Sequence, residues 1–286
     1  MKTASVNKSP SATNLLLSLW QRVTANKPAN HNKSRVNNAP YIVNLFGLDI
    51  RNVSKTQAVN WMTTKANPLG PKIGFFVNAH SINLAVEHAE FNRELSNADA
   101  LFADGSGIRM AARHTNYQLQ DNVNGTDVLP LLCQQCINHQ RSIYLLGAES
   151  GVAREMRDNL IRDFPKLSVA GYHHGFINDD DNQQVINAIN NSHCDVLLVA
   201  MGSPQQERWI NQHKNKLQCR TVLAVGGLFD FFSGNIPRAP LWLRSLGGEW
   251  LWRLLQEPRV KFKRYVVGNP LFLFRTYILG LAKKGA

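Results

Sequence analysis

The chain has 286 residues, of which 44% are hydrophobic and 18% charged, and its formal net charge is +12. A chain of this length can bury a full core, either as one large α/β domain or as a domain with an appendage. No apolar run reaches the ~20 residues that cross a bilayer, which excludes a protein that spans the membrane with helices.

The positive charge lies at the two ends of the chain. Residues 1–38 contain six Lys or Arg and no Asp or Glu, and residues 258–286 contain seven and none. Residues 1–38 are also rich in Asn, Ser and Thr, which predicts a disordered basic extension. Their apolar island at 15–20 is too short for a secretory signal, so we expect a cytoplasmic protein. Two basic tails on a neutral body indicate an anionic partner, either nucleic acid or the inner face of a membrane.

Strands and helices are predicted to alternate from residue 41 to residue 235. Seven apolar runs are typical of buried strands, at residues 41–46, 75–77, 100–103, 143–146, 167–170, 196–201 and 221–225. Helices are predicted between them, at residues 56–65, through residue 94, at 108–113, at 128–138 and from 152 onward. This alternation predicts an α/β protein with a Rossmann-like, mostly parallel sheet in three layers over residues 39–240.

One strand-turn-helix unit, around residues 195–210, indicates a ligand site. Its apolar strand is followed by Gly202, by Ser203 as the predicted N-cap, and by Gln206 three residues later, as in a capping box. Helix N–H groups at the carboxyl end of a parallel strand favour a phosphorylated ligand. Gln206 and Glu207 would then reach into the crevice above the sheet, or, alternatively, they only cap and solvate the helix.

Three other strand ends carry candidate site residues. Asn78 follows the second predicted strand, where its amide meets a ligand or caps the next helix. Asp104 ends the third strand and precedes two glycines, which places it at the crevice unless it is only a helix cap. Asp230, among aromatic residues, needs a charged partner or a ligand if it is buried. A dinucleotide fingerprint is absent, since Met110 occupies the third glycine position.

No residue cluster predicts a metal site. His173 and His174 are adjacent residues of a predicted loop, without a third spaced partner. The acidic residues 179–181 directly precede a helical apolar pattern, so helix capping is the better interpretation than a metal clamp. The four cysteines, with a single C-x-x-C pair at Cys133 and Cys136, are typical of reduced thiols.

The last part of the chain differs from the alternating region. Residues 241–286 form a basic and apolar appendage, in which the segment 271–282 is apolar around Arg275 and has basic flanks. This pattern predicts an interfacial helix that lies on anionic lipid. The alternative is a C-terminal helix that packs on the domain.

Together, these segments resemble the WecG/TagA/CpsF family of bacterial glycosyltransferases over about residues 40–275. A single motif is a weak signal, whereas eight motifs in order are a strong one. The motifs are Asn78-Ala79, Ala103-Asp-Gly-Ser-Gly107, Asn124-Gly-Thr-Asp127, Leu145-Leu-Gly147, Met201-Gly-Ser-Pro-Gln-Gln-Glu207, Gly226-Gly-Leu-Phe-Asp230, Arg238-Ala-Pro240 and Glu257-Pro-Arg259.

The resemblance implies transfer of a sugar from UDP to a saccharide linked to undecaprenyl diphosphate, for cell-surface polysaccharide synthesis. The enzyme would be peripheral on the inner face of the bacterial cytoplasmic membrane. Residues 39–240 would bind the nucleotide sugar, and residues 241–286 would associate with the membrane. No metal, other cofactor or nucleic acid is expected. The resemblance leaves open whether the protein forms a homo-oligomer. The donor sugar is N-acetylmannosamine, its uronic acid, a hexose or a hexuronic acid.

The resemblance also implies roles for individual residues. Asp104 corresponds to the general base, which takes a proton from the acceptor hydroxyl as UDP leaves with inversion. Asn78 corresponds to a substrate-site amide, and Gln206 and Asp230 correspond to nucleotide-sugar contacts. The expected substrate-binding residues are Asn78, Gly125, Asp127, Gly147, Gly175, Gly202, Gln206, Glu207, Asp230, Arg238, Arg259 and Arg264.

The leaving diphosphate needs positive charge. Arg259 and Arg264 of the appendage would close over it, and helix N-termini near Gly147 and Ser203 would add N–H donors. No metal is assigned to this task.

Two positions depart from the family pattern. Phe76 stands where many members have Thr, and Asn122 where many have Arg, so donor contacts at these positions do not carry over. Two rival interpretations remain from the residues alone. A nucleotide-binding oxidoreductase explains the sheet but lacks the glycine fingerprint. A nucleic-acid-binding α/β protein explains the basic tails but not the strands that end in glycine.

Overall fold

The computed structural model describes residues 41–64 and 70–283. These residues belong to one compact unit of residues 38–286. The predicted basic extension 1–38 lies outside the described residues, as does the end of the helix predicted at 56–65. The predicted boundary between residues 240 and 241 falls within the compact unit.

The described residues contain one sheet of eight strands. The strands are β1 (Ile42–Leu45), β2 (Leu48–Arg51), β3 (Lys72–Val77), β4 (Ala100–Ala103), β5 (Ser142–Gly147), β6 (Ser168–His173), β7 (Val196–Ala200) and β8 (Thr221–Ala224). Their order in the sheet is β1-β2-β4-β3-β8-β7-β5-β6. β1 and β2 are antiparallel, and all other neighbouring strands run parallel. The predicted Rossmann-like, mostly parallel sheet is therefore confirmed.

Helices alternate with the strands and then continue beyond the last strand. The first nine are α1 (Lys55–Thr63), α2 (Ala79–Glu87), α3 (Ala89–Ser96), α4 (Ser106–His114), α5 (Gly125–Asn138), α6 (Val152–Asp163), α7 (Asn182–Asn191), α8 (Gln205–His213) and α9 (Leu228–Ser233). The C-terminal helices are α10 (Leu241–Ser245), α11 (Glu249–Gln256), α12 (Pro258–Phe262) and α13 (Gly268–Tyr277). A π-helical turn, Lys263–Val267, joins α12 to α13.

Helices cover both faces of the sheet. Successive side chains of a strand point to opposite faces, so the sheet packs against helices on both sides. On one face, Phe75 of β3 belongs to a core cluster with Ile82 of α2 and Ile186 of α7. On the other face, Gly74 faces Trp61 of α1 so closely that an added Cβ would lie 3.0 Å from the indole ring. The sheet is thus the middle of three layers.

Two local predictions were wrong. The chain reverses after β1 at Phe46 and Gly47, whose φ angles of 57° and 78° are those of a tight hairpin turn. The strand that follows, β2, was missed because its pattern is short and half polar. The single helix predicted through residue 94 is two helices, since the extended backbone of His88 separates α2 from α3.

The C-terminal helix α13 packs on the body of the protein, as in the alternative interpretation of this segment. Phe272 is 1% exposed, and its ring centroid lies 5.6 Å from that of Phe46. Arg275 donates hydrogen bonds to Asn83 of α2. Other apolar side chains of the segment are exposed, including Ile278 at 71%. Within residues 41–64 and 70–283, no helix has the length and apolar character needed to cross a membrane.

Candidate active site

A cavity of about 570 Å³ lies at the carboxyl ends of the parallel strands. This is the edge at which open α/β sheets bind their ligands. Residues that follow β3, β4, β7 and β8 line it, together with residues of α4, α11, α13 and the π-helical turn. Seven of the predicted site residues line it: Asn78, Asp104, Gly125, Gly202, Gln206, Asp230 and Arg264.

Asp104 presents the carboxylate expected of a general base. It directly follows β4, and its backbone N–H donates to the carbonyl of Val77 on the neighbouring strand at 2.9 Å. Burial raises the pKa of Asp104 to about 6, although the hydrogen bond from Asn78 and the charge of Arg264 act in the opposite direction. A carboxyl group with a pKa near neutrality at a cavity wall is suited to take up a proton.

Asn78 caps a helix, which is one of the two roles that its position suggested. Its Oδ1 accepts the N–H groups of His80 at 3.0 Å and Ser81 at 3.2 Å, so it caps α2. Its Nδ2 donates to Oδ2 of Asp104 at 3.4 Å. His80, in the first turn, also lines the cavity, and burial together with Arg264 lowers its pKa to about 4. The His80 ring is therefore neutral at pH 7.

Gln206 connects the ends of β7 and β8. α8 begins at Gln205, so the prediction of Ser203 as its N-cap was wrong. The Ser203 hydroxyl instead donates to Oε1 of Glu207 at 2.7 Å, and Nε2 of Gln206 donates to the same oxygen at 2.8 Å. Oε1 of Gln206 accepts the N–H of Gly226 at 2.9 Å. Glu207 is 1% exposed, and burial raises its pKa.

The helices beyond residue 240 give the cavity a cationic wall. It contains four basic side chains from the helices beyond residue 240, namely Arg244, Arg253, Lys261 and Arg264. Nη2 of Arg253 lies 2.9 Å from Glu257 and 3.9 Å from Asp230. Among the described residues, the buried Nε atoms of Arg244, Arg253 and Arg264 have no hydrogen-bond partner. Because buried donors without partners are unfavourable, this wall is suited to bind anionic oxygens.

Comparison with known proteins identifies the family of this chain. The family described as "Glycosyl transferase WecG/TagA/CpsF family" matches residues 43–285. The chain belongs to this family. It is therefore a glycosyltransferase, the enzyme class that the resemblance implied.

Two relatives show how far this similarity extends. A protein of Bacillus subtilis (strain 168) is 28% identical over 223 residues, which are 78% of this chain and 83% of the relative. A protein of Staphylococcus aureus (strain MW2) is 31% identical over 239 residues, which are 82% and 91%. Both are named N-acetylglucosaminyldiphosphoundecaprenol N-acetyl-beta-D-mannosaminyltransferase.

Two predicted substrate-binding residues of this glycosyltransferase bind each other beside the cavity. Arg238 donates to Asp127 and lies 3.2 Å from Glu249, and Lys55 lies 3.0 Å from Asp127. Burial alone would raise the pKa of Asp127, but Arg238 and Lys55 outweigh it and hold that pKa well below its usual value. Neither Asp127 nor Arg238 lines the cavity. The ion pair between Asp127 and Arg238 joins α5 to the segment that precedes α10.

Gly147, Gly175 and Arg259 also lie outside the cavity wall. A Cβ at Gly147 would be 2.4 Å from the carbonyl oxygen of Ala200, and one at Gly175 would be 3.0 Å from Cα of Gly147. These glycines allow close packing of the backbones at the ends of β5, β6 and β7. The chain reaches Val152 before α6 starts, so no helix N-terminus lies at Gly147. Arg259 is exposed on α12.

The two positions that depart from the family pattern both line the cavity. Phe76 packs against Phe102, with ring centroids 5.7 Å apart. Oδ1 of Asn122 accepts the N–H of Gly105 at 2.6 Å. Gly105 has a φ of +95°, in the region that favours glycine, so Asn122 holds the turn that directly follows the Asp104 carboxylate.

Sequence reasoning missed several residues of the cationic wall. Arg253 follows Trp-Leu-Trp in the amphipathic helix α11. A charged residue beside these apolar residues was a signal that could have identified it. Arg244 and Lys261 gave no comparable signal, since each is one of many basic residues in the appendage. His80 was not identified from the sequence because Asn78, two residues earlier, already explained the start of α2.

Proposed function

We propose that the protein transfers N-acetylmannosamine from its UDP derivative to N-acetylglucosamine linked through a diphosphate to undecaprenol. The observation that carries this proposal is that a buried carboxyl group, Asp104, and a cationic wall line the same cavity. The names of the relatives supply the acceptor and the transferred sugar. The UDP moiety rests on the family resemblance.

The proposed reaction is a single displacement with inversion. Asp104 takes the proton from the acceptor hydroxyl while that oxygen attacks the anomeric carbon. The bond between the anomeric carbon and the diphosphate oxygen breaks, and UDP leaves with the bonding electron pair. The proton stays on Asp104 until it is released to solvent. Asn78, which donates to Oδ2 of Asp104, holds the carboxylate and the first turn of α2 together.

The cationic wall is proposed to take the place of a metal ion. Arg253, close to Asp230, would bind the donor diphosphate and stabilise the charge that develops on leaving UDP. Arg264, which lowers the pKa of Asp104, would bind the acceptor diphosphate near the base. Charge-assisted hydrogen bonds from guanidinium groups to phosphate oxygens are strong, so no metal or other cofactor is assigned a step.

The appendage is proposed to lie against the inner face of the cytoplasmic membrane. Fifteen of the 23 large hydrophobic side chains that are exposed in the described residues lie between Leu241 and Leu279. The segment 258–286 has seven basic residues and no acidic one. Lys261 and Arg264 line the cavity and Arg275 binds α2, whereas Arg259 and Lys263 are exposed. Apolar side chains flanked by basic residues favour an anionic lipid surface, which is where a lipid-linked acceptor is found.

A panel of UDP-sugars tests the proposed function. UDP release is measured with N-acetylglucosaminyl diphosphoryl lipid as the acceptor, and the panel contains N-acetylmannosamine, its uronic acid, glucose and glucuronic acid. We expect UDP-N-acetylmannosamine to be the best donor, with inversion at the anomeric carbon in the product. A preference for another donor would overturn the assignment of the sugar but not that of the family. The metal chelator EDTA should leave the rate unchanged.

A further inference from the structure

A buried amide joins the C-terminal helices to the helix that begins at the active site. Asn83 lies on α2, which starts beside Asp104, and it is 5% exposed. Its Nδ2 donates to the carbonyl oxygen of Gly268 at 2.7 Å, and its Oδ1 accepts from Nη1 of Arg275 at 2.9 Å. One side chain thus binds α13 at its first residue and again two turns later.

Arg275 completes this contact. Its Nη1 also donates to the backbone carbonyl of Asn83 at 3.1 Å, and its Nη2 donates to Oε1 of Glu87 at 2.9 Å. Arg275 is the one charged residue of the apolar segment 271–282. The contact with α2 explains why a charge occurs there, since its guanidinium group finds three acceptors on a neighbouring helix.

Gly268 directly follows the π-helical turn Lys263–Val267. Such turns are rare, and they occur frequently at functional sites. This one carries Arg264 and Tyr265, which both line the cavity, and the Arg264 guanidinium lies 5.4 Å from the centre of the Tyr265 ring. The position of the Arg264 charge therefore depends on where the end of the turn is held.

We propose that Asn83 and Arg275 are positioning residues for Arg264. By fixing Gly268, they anchor the end of the π-helical turn to α2 and keep the Arg264 guanidinium at the cavity. Neither Asn83 nor Arg275 lines the cavity, so each acts through the turn rather than on the substrate. This inference rests on the proposed function, because it takes Arg264 as the group that binds the acceptor diphosphate.

Steady-state kinetics provide the first test. Asn83→Ala and Arg275→Met should each raise the KM for the lipid-linked acceptor about tenfold, equivalent to ~1.4 kcal/mol. The KM for the UDP-sugar should change less than about twofold. Arg275→Lys keeps a cation within reach of the same acceptors and should restore most of the affinity. Arg208→Met removes a different interhelical ion pair, with Glu94 between α8 and α3, and should leave both KM values unchanged.

A double variant separates positioning from a general loss of packing. If Asn83 acts through Arg264, adding Asn83→Ala to an Arg264→Ala enzyme should change the KM for the acceptor less than about twofold further. A further tenfold increase in the double variant would mean that Asn83 acts elsewhere, and it would overturn the proposal. If Asn83→Ala does not fold, Arg275→Met is combined with Arg264→Ala instead, and the same two outcomes apply.

Hydrogen exchange tests the inference without reference to any substrate. In Arg275→Met, the backbone amides of residues 263–268 should exchange at least about tenfold faster than in the wild type, while Arg208→Met leaves them unchanged. Unchanged exchange in Arg275→Met overturns the positioning role, whatever the enzyme transfers. Faster exchange combined with a normal acceptor KM in Arg264→Ala instead overturns the assignment of Arg264 to the diphosphate.

Discussion

The substitution Asp104→Asn should reduce catalysis and increase stability at the same time. Asn has nearly the shape of Asp but cannot take up the proton of the acceptor hydroxyl. A positioned general base contributes a factor of ~10²–10⁴ to the rate, so turnover should fall by that amount. Binding of the UDP-sugar should persist, because the amide still fits beside Asn78, which lies 3.4 Å from Oδ2 of Asp104.

The effect on stability follows from the pKa of Asp104. Burial raises this pKa from 3.8 to about 6, a difference of about two units, or ~3 kcal/mol at ~1.4 kcal/mol per unit. Since the folded pKa is the higher one, ionisation favours the unfolded chain. The stability that the wild type has below pH ~4 is therefore lost as the pH rises through about 6. Asp104→Asn should be more stable than the wild type at pH 8, by up to ~3 kcal/mol.

Two measurements check this prediction. Urea denaturation at pH 4 and pH 8 should show the gain in stability only at pH 8. UDP release should give a wild-type kcat/KM that rises with pH through about 6, and a variant without this rise. Asp180→Asn, at an exposed carboxyl group, is the matched control and should change neither quantity. Undiminished turnover in Asp104→Asn would remove this residue from the role of base.

Three further substitutions test other contacts. Gly147→Ala should lower the free energy of unfolding by ~2 kcal/mol or more in chemical denaturation, because the new Cβ would lie 2.4 Å from the carbonyl oxygen of Ala200. Arg253→Met should lower kcat/KM for the UDP-sugar at least about tenfold, since it removes charged hydrogen bonds of ~1.5–3 kcal/mol, whereas Arg259→Met should have a far smaller effect. Ile278→Asp should weaken sedimentation with anionic vesicles without a lower Tm, because this side chain is 71% exposed.

The sequence allowed the residues at the strand ends to be placed together. Asp104 and Gln206 are about one hundred residues apart, yet both follow an apolar run and both line the cavity. The carboxyl ends of parallel strands lie at the same edge of a sheet, so the strand pattern alone brings such residues close. Their types then suggested the chemistry, a carboxylate for proton transfer and an amide for hydrogen bonding.

Which partner a charge finds could not be predicted in this way. Asp127 and Arg238 belong to separate motifs, and their ion pair joins positions 111 residues apart. Arg275 belongs to the segment predicted to lie on anionic lipid, but it binds Asn83 on α2. Short-range patterns report burial and secondary structure, whereas the choice among several possible counter-ions depends on the packing of the whole chain.

Substrate binding should itself change the strength of the base. Arg264 lowers the pKa of Asp104, and an acceptor diphosphate bound to Arg264 would offset that charge. The pKa of Asp104 should then rise once the acceptor is bound, which makes the carboxylate a stronger base in the complex. Because kcat reports the complex and kcat/KM the free enzyme, the acid limb of kcat should lie at higher pH. In Arg264→Ala, the acid limb of kcat/KM should move to higher pH, and the difference in pH between the limbs of kcat and kcat/KM should shrink. Coincident limbs in the wild type would show that the diphosphate does not bind beside Arg264.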